Sequence, residues 1–518
     1  MLKKHISLKR QSLRNLLNGA AIQRRQWKSV VGLEIHAQIA SESKLFSGSS
    51  TKFGSPLNSA VSLFDASVPG TLPVLNRKCV ESGVLTAIAL GCDVNPVSMF
   101  DRKHYFYADM PAGYQITQQR AALANNGKLT YPVIVPGKKI YQKTVRLLQL
   151  QLEQDSGKTI HDEKLKRNLI DLNRAGLPLM ELVFAPDLEN GEEAASLVKE
   201  LILILRRLQT CSCKMEEGAL RVDANISVHR EGEPLGVRTE VKNISSVRGI
   251  SQAITFEIDR QMGLVLNGGA VINETRAWDA ELKQTITMRD KEVLQDYRFM
   301  PEPNLLPLRL EMRELENPSL ISVPKILKSL PELPAETRNK LRDTYAISQD
   351  AAAILVNESK LLEYFSSIMK KLSVTSAKLV GNFLINDFLT FINKTKSSID
   401  ECQFSEKNLF EIIDNLQSES INLKTARRLL QMIHDDPNTD IATLIKVNNL
   451  AQISDLKEID QFCKLAMENQ SSAVKQYKKG KQKAFFAIVG EVAKLSHQKA
   501  NMKTVVNRLE TLLKDSNK

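Results

Sequence analysis

From Trp27 to Leu310 apolar and polar residues alternate with a period of two, in short runs broken by turn residues, and this predicts strands. One stretch follows a different rhythm. Asn190 with Glu193 three residues later forms a helix-start signal, after which Leu197, Leu201, Leu205 and Leu208 recur at helical spacing. The proline-rich segment from Phe299 to Pro307 ends the strand-like region. Beyond Glu311 the pattern turns helical, with Pro324, Pro331 and Pro334 punctuating short helices before a longer tail. The chain therefore reads as α+β: a leader over 1–26, a strand-rich domain over 27–310, a helical connector over 311–362 and an all-helical tail over 363–518.

Within the strand-rich region the alternation repeatedly places acids on one face. Val31, Leu33, Ile35, Ala37 and Ile39 alternate with Gly32, Glu34, His36 and Gln38, so Glu34 and His36 point the same way, about 7 Å apart. Leu148, Leu150 and Leu152 alternate with Gln149, Gln151, Glu153 and Asp155. Ile170 and Leu172 do so with Asp171 and Asn173. Val222, Ala224, Ile226 and Val228 alternate with Arg221, Asp223, Asn225 and Ser227, and a turn over 229–236 returns the chain through Arg238, Glu240 and Lys242. Any one such face, taken alone, suits a half-solvated sheet equally well. Glu181 differs, because it stands alone in the apolar run Leu179 to Val183, where a carboxylate is costly to leave unpaired.

Length and composition narrow the class. The 518 residues suggest about three domains. With 42% hydrophobic and 25% charged residues, disordered, collagenous and disulfide-scaffold chains are excluded. No apolar run reaches the length of a spanning helix, so membrane insertion is not expected. The six cysteines are scattered, and Cys211 and Cys213 stand too close for a usual zinc pair, which favours a reducing compartment.

Net charge is +12, and more than half comes from Lys3, Lys4, Lys9, Arg10, Arg14, Arg24 and Arg25, with no acid before Glu34. That segment reads as an amphipathic mitochondrial presequence; a basic nucleic-acid-binding arm is the alternative. A second basic cluster, Lys475, Lys478, Lys479, Lys481 and Lys483, surrounds Tyr477 and Gly480 in the tail. It can track a phosphate backbone or be a solvated helix face.

Taken together, the acids can supply oxygen ligands to magnesium, a hard ion that takes one or two carboxylates and leaves other positions to water and phosphate. His36 fits a ligand, a general base or a structural histidine. Gly157-Lys158-Thr159 imitates the end of a phosphate-binding Walker loop, but Leu152 stands where that loop needs glycine, and Glu153 and Asp155 would face the phosphates. A bound triphosphate would have to be held by metal and basic side chains.

Dense motifs run in order from Val31 to Asn501. They include Val31-Gly32-Leu33-Glu34-Ile35-His36, Ser43-Lys44-Leu45-Phe46-Ser47, Pro69-Gly70-Thr71-Leu72-Pro73, Asp101-Arg102-Lys103 with Tyr105-Phe106-Tyr107, Asp171-Leu172-Asn173-Arg174-Ala175-Gly176, Arg221 with Asp223-Ala224-Asn225, and Asp296-Tyr297-Arg298. Through these the chain resembles the GatB family of tRNA-dependent amidotransferase components, in its mitochondrial form. The resemblance implies a mixed-sheet, cradle-shaped catalytic domain, a helical connector and an all-α YqeY-like tail that binds tRNA. It implies ATP and Mg2+ as cofactors, partnership with a GatA-type glutaminase and a small GatC-type protein, Glu-tRNA(Gln) as substrate and the mitochondrial matrix as location.

By the same resemblance Glu34, His36, Glu153 and Glu181 carry catalysis, and with Asp155 they form the metal set. Lys103, Tyr105, Asp223 and Glu240 line the substrate pocket or the ammonia path. One departure stands out: Gln154 replaces the second glutamate of the bacterial pattern, and on this reading Glu153 or Asp155 takes more of the coordination or the ion binds more weakly. Two other classes fit less of the chain. A non-catalytic tRNA-binding scaffold would bind tRNA without ATP turnover, and a ligase for a small metabolite would leave the basic tail without a purpose.

Overall fold

The computed structural model describes residues 27–515 apart from 136, 289–296, 316, 396–398, 400–401, 438 and 479. The expected presequence, Lys479 and Asp296 lie outside the described residues. The chain parts into two compact units between Ala335 and Glu336.

The first unit is built on a nine-stranded sheet. In chain order its strands are β1 (Trp27–Gln38), β2 (Asp93–Val94), β5 (Ala124–Val133), β6 (Tyr141–Gln154), β9 (Pro178–Phe184), β10 (Leu220–Arg230), β11 (Thr239–Ile244), β12 (Thr275–Asp279) and β13 (Gln284–Thr287). They lie in the order β13-β12-β11-β10-β1-β9-β6-β5-β2. Only β11 and β12 pair in parallel, so the sheet is mixed. A smaller sheet sets β4 (Tyr114–Ala121), β14 (Arg298–Pro301) and β15 (Leu308–Arg309) against β3 (Val97–His104), while β7 (Lys158–Asp162) and β8 (Arg167–Asp171) form a separate hairpin.

Alternation gives the large sheet two unlike faces. Leu33, Ile35 and Ala37 of β1, Leu150 and Leu152 of β6, and Val222 and Ala224 of β10 are fully or almost fully buried. They share one core with the helices Arg77–Ala89, Gly191–Leu208 and Val247–Leu266. The Asn190 signal is met: its side chain accepts the Glu193 N–H at 2.9 Å, and the Glu193 carboxylate reaches back to the N–H of Glu189. The sequence pattern predicts one helix in this region, and among the described residues the structure has three. Leu148 also departs from its expected inward position. It is the extra residue of a bulge between Leu147 and Gln149, which turns it outward and restores the inward register at Leu150.

The segment from Glu311 to Ala335 packs with the first unit, where Ile321, Val323, Ile326, Leu330 and Leu333 lean on the same core. The described structure of the second unit is all helical, apart from a bridge between Ile453 and Ala500. Its last helices, from Leu456–Asn469 to Met502–Asp515, close over Ile459, Cys463, Ile488, Val492, Val505 and Leu509.

Candidate active site

The register of the sheet assembles the site. Arg221 of β10 lies opposite His36 of β1, His36 opposite Glu181 of β9, and Glu181 opposite Gln151 of β6. One row of four polar side chains thus crosses four neighbouring strands, on the face away from the helices. Glu153, two residues beyond Gln151, points to the same side. His36 Nε2 lies 3.3 Å from Glu153 Oε1 and 3.8 Å from Glu181 Oε1. Ligand atoms of these three residues all fall within 4.8 Å of one another.

Electrostatics follow from this crowding. Burial works against the charged His36 imidazole, but the hydrogen bond and charge of Glu153 and the charge of Glu181 outweigh it and raise its pKa to about 9. Burial and the neighbouring Glu153 carboxylate raise Glu181 to about 7. Glu153 is held below the ordinary carboxylate range despite its own burial, by the hydrogen bond and charge of His36 and by the charge of Lys103. One imidazole and two carboxylates at this spacing suit a divalent cation, which would displace the imidazole proton on binding.

Cations and further acids complete a pocket of ≈ 550 Å³ lined by His36, Lys103, Tyr105, Glu153, Arg221 and Lys242, among others. Lys103 Nζ sits 4.6 Å above the Tyr297 ring. Tyr105 packs between Tyr107 and Tyr297, and its hydroxyl is pushed up by burial and by the nearby Glu153 and Asp155 carboxylates. Lys242 Nζ bridges Asp223 at 3.3 Å and Glu240 at 3.2 Å. Burial opposes the Lys242 charge, but these two acids raise its pKa overall.

Not every expected ligand joins the cluster. Asp155 instead takes Arg221 on Oδ2 at 2.9 Å, with Arg174 at 3.6 Å. Glu34 accepts from Asn225 Nδ2 at 2.9 Å and lies outside the three-residue group. Asp171 sits on the β7–β8 hairpin, where it accepts the N–H groups of Asn58 and Asn173. Gln154 faces away from Glu153 into a different pocket with Phe64, Pro69, Pro111 and Tyr114, so the charge missing there is not missing beside His36. Arg221, Lys242 and Gln151, which the sequence shows on the acid-bearing faces without assigning them to the site, belong to it, and so does Thr117, which the sequence does not mark at all. The first two and Gln151 share the strand parity of the acids, which is the signal that marks them. Thr117 comes from β4, and no local pattern points to it.

In the tail, Lys475 and Lys478 lie on the helix Ser471–Lys478, and Lys483 opens the helix Lys483–Leu495. These three and Lys481 are exposed around the turn at Gly480. Among the described residues no helix is long and apolar enough to cross a membrane.

Comparison with known proteins agrees over nearly the whole chain. Residues 29–316 match the model of the GatB/GatE catalytic domain, and residues 363–513 match that of the GatB domain. The B component of the mitochondrial glutamyl-tRNA(Gln) amidotransferase of Drosophila melanogaster is 65% identical over 501 residues, covering 96% of this chain and 97% of its own. The human protein of the same name is 46% identical over 94% of this chain and 89% of its own. The corresponding component of the aspartyl/glutamyl-tRNA(Asn/Gln) amidotransferase of Rickettsia typhi is 42% identical over 93% of this chain and 97% of its own. By its strand-row site, its two family domains and these relatives, the chain belongs to the GatB family of tRNA-dependent amidotransferase components.

Proposed function

We propose that this chain uses ATP to phosphorylate the side-chain carboxylate of glutamate misacylated onto tRNA(Gln), and that ammonia then displaces the phosphate to give Gln-tRNA(Gln) for mitochondrial translation. The observation that carries the reading is the His36, Glu153 and Glu181 cluster, whose His36 and Glu153 line one pocket with Lys103, Arg221 and Lys242. A carboxylate attacking a triphosphate brings negative charge to negative charge, so transfer depends on positioning and neutralisation. Mg2+ held by His36, Glu153 and Glu181 supplies charge neutralisation at the phosphates when bound. Lys103, Arg221 and Lys242 offer three more cations on the wall. Asp155 fixes Arg221, while Asp223 and Glu240 fix Lys242, so these heads are set before substrate arrives. The Tyr105 hydroxyl stays protonated and can donate to an incoming oxygen.

Ammonia would come from a GatA-type glutaminase partner, with a small GatC-type protein completing the complex, in the mitochondrial matrix. The exposed lysines of the tail would follow the tRNA backbone. The mitochondrial relatives are named for glutamyl-tRNA(Gln), which favours that substrate over aspartyl-tRNA(Asn). The test combines the chain and its two partner proteins with Glu-tRNA(Gln), ATP, Mg2+ and an ammonium salt, and follows ADP and Gln-tRNA. Both products should form, and both should vanish in Glu153→Gln while tRNA affinity stays within a few fold. Tight tRNA binding with neither product in the unsubstituted chain would leave a scaffold instead.

A further inference from the structure

The two acids of the cluster are not held alike on their two oxygens. Glu153 Oε1 and Glu181 Oε1 face His36, whereas both Oε2 atoms point the other way, into a buried network of neutral side chains. Thr117 Oγ1 donates to Glu153 Oε2 at 3.2 Å. Gln151 Nε2 donates to Glu181 Oε2 and, at 3.2 Å, to Thr117 Oγ1. Gln149 Nε2 donates in turn to Gln151 Oε1 at 2.9 Å. Thr117 and Gln151 are 2% and 4% exposed, so water cannot readily stand in for them.

The direction of this network is fixed by chemistry. With a divalent cation on the front oxygens both carboxylates are ionised and only accept, so each Oε2 takes a proton from its neighbour. The Gln151 amide has two such protons and gives one to Glu181 and one to Thr117. The single hydroxyl proton of Thr117 is then free for Glu153. The Gln151 carbonyl oxygen, turned away from both acids, takes the Gln149 amide. With both acids ionised, no member can be reversed without setting two acceptors face to face.

We infer that Thr117 and Gln151 are positioning residues that restrict Glu153 and Glu181 to one ligating oxygen each, and so select a small, octahedral divalent cation over calcium. The inference rests on reading His36, Glu153 and Glu181 as cation ligands. Calcium gains from bidentate carboxylates and six to eight oxygens, whereas magnesium takes few protein ligands and keeps waters. With both rear oxygens tied, the site offers three donors and leaves the remaining positions to water and phosphate. Removing a tie frees an oxygen to rotate inward, which loosens the octahedral geometry and improves the fit to the larger ion.

The experiment measures Mn2+ binding to the full chain assembled with its partner proteins, by the loss of the free-ion paramagnetic resonance signal, with Mg2+ and Ca2+ as competitors. Mg2+ should displace Mn2+ at much lower concentration than Ca2+ does. Thr117→Val and Gln151→Leu should each weaken Mn2+ binding about tenfold or more and narrow the gap between Mg2+ and Ca2+. Thr117→Ser, which keeps the hydroxyl, should restore both and shows that the valine effect is not a folding defect. If Glu153→Gln abolishes binding while Thr117→Val and Gln151→Leu leave affinity and preference unchanged, the positioning role is overturned and the cation reading survives. If Glu153→Gln binds Mn2+ like the unsubstituted protein, both fall.

Discussion

At the scale of single residues the fold commits charges to its interior, and Lys44 is the plainest case. Its side chain is fully buried and its Nζ lies 3.1 Å from Asp65 Oδ2, itself buried and further held by the Ser47 hydroxyl and the Ser62 N–H. Burial pulls the Lys44 pKa down against the pull of Asp65. Lys44→Met should cost roughly 3–5 kcal/mol, because it leaves a buried carboxylate without its counter-charge. Lys44→Met combined with Asp65→Asn should recover much of that loss, since the amide oxygen still accepts from Ser47 and Ser62. Urea denaturation of the four proteins of this cycle checks it; simple additivity would mean that the pair is not coupled. The same scale shows the limit of reading residues from a sequence. Glu181 announced itself because an acid in an apolar run demands a partner, and the structure gives it Gln151 and His36. Asp155 shares the parity of Glu153, yet Arg221 and Arg174 hold it away from the cluster, and both pairings depend on tertiary placement.

At the scale of elements, what alternation conveys is the face of a residue, not the order of strands. It put Glu34 with His36 and Gln151 with Glu153, but only the sequence of pairings β10-β1-β9-β6 turns separate faces into one row. The helices Arg77–Ala89 and Val247–Leu266 were harder to foresee because Gly83, Gly249 and Gly263 interrupt them and β-branched residues crowd their buried faces. Those glycines have counterparts at helix contacts. A Cβ on Gly191, at the start of the Gly191–Leu208 helix, would collide with the Ser251 carbonyl oxygen on the Val247–Leu266 helix. A backbone atom cannot step aside as a side-chain tip can. Gly191→Ala should therefore destabilise the first unit by about 1–3 kcal/mol, read as a lower urea midpoint with an unchanged slope. An unchanged midpoint would mean that the two helices shift apart without loss.

At the scale of the molecule, the proposed chemistry and the proposed RNA contact reside in different compact units, and this separates their expected phenotypes. The acid cluster lies in the first unit, and the lysines around Gly480 in the second. A side chain that neutralises a backbone phosphate releases counter-ions, so each such contact steepens the fall of affinity with salt. Replacing Lys475, Lys481 and Lys483 together by Ala should weaken tRNA binding and reduce the slope of log K against log salt by roughly two to three. At saturating tRNA the same variant should still form ADP and Gln-tRNA at close to the unsubstituted rate, since none of the three lines the pocket. Glu153→Gln should show the opposite pattern, with an unchanged salt slope and no product. A triple variant with an unchanged slope would make the patch a solvated helix face and move the RNA-tracking surface elsewhere on the chain.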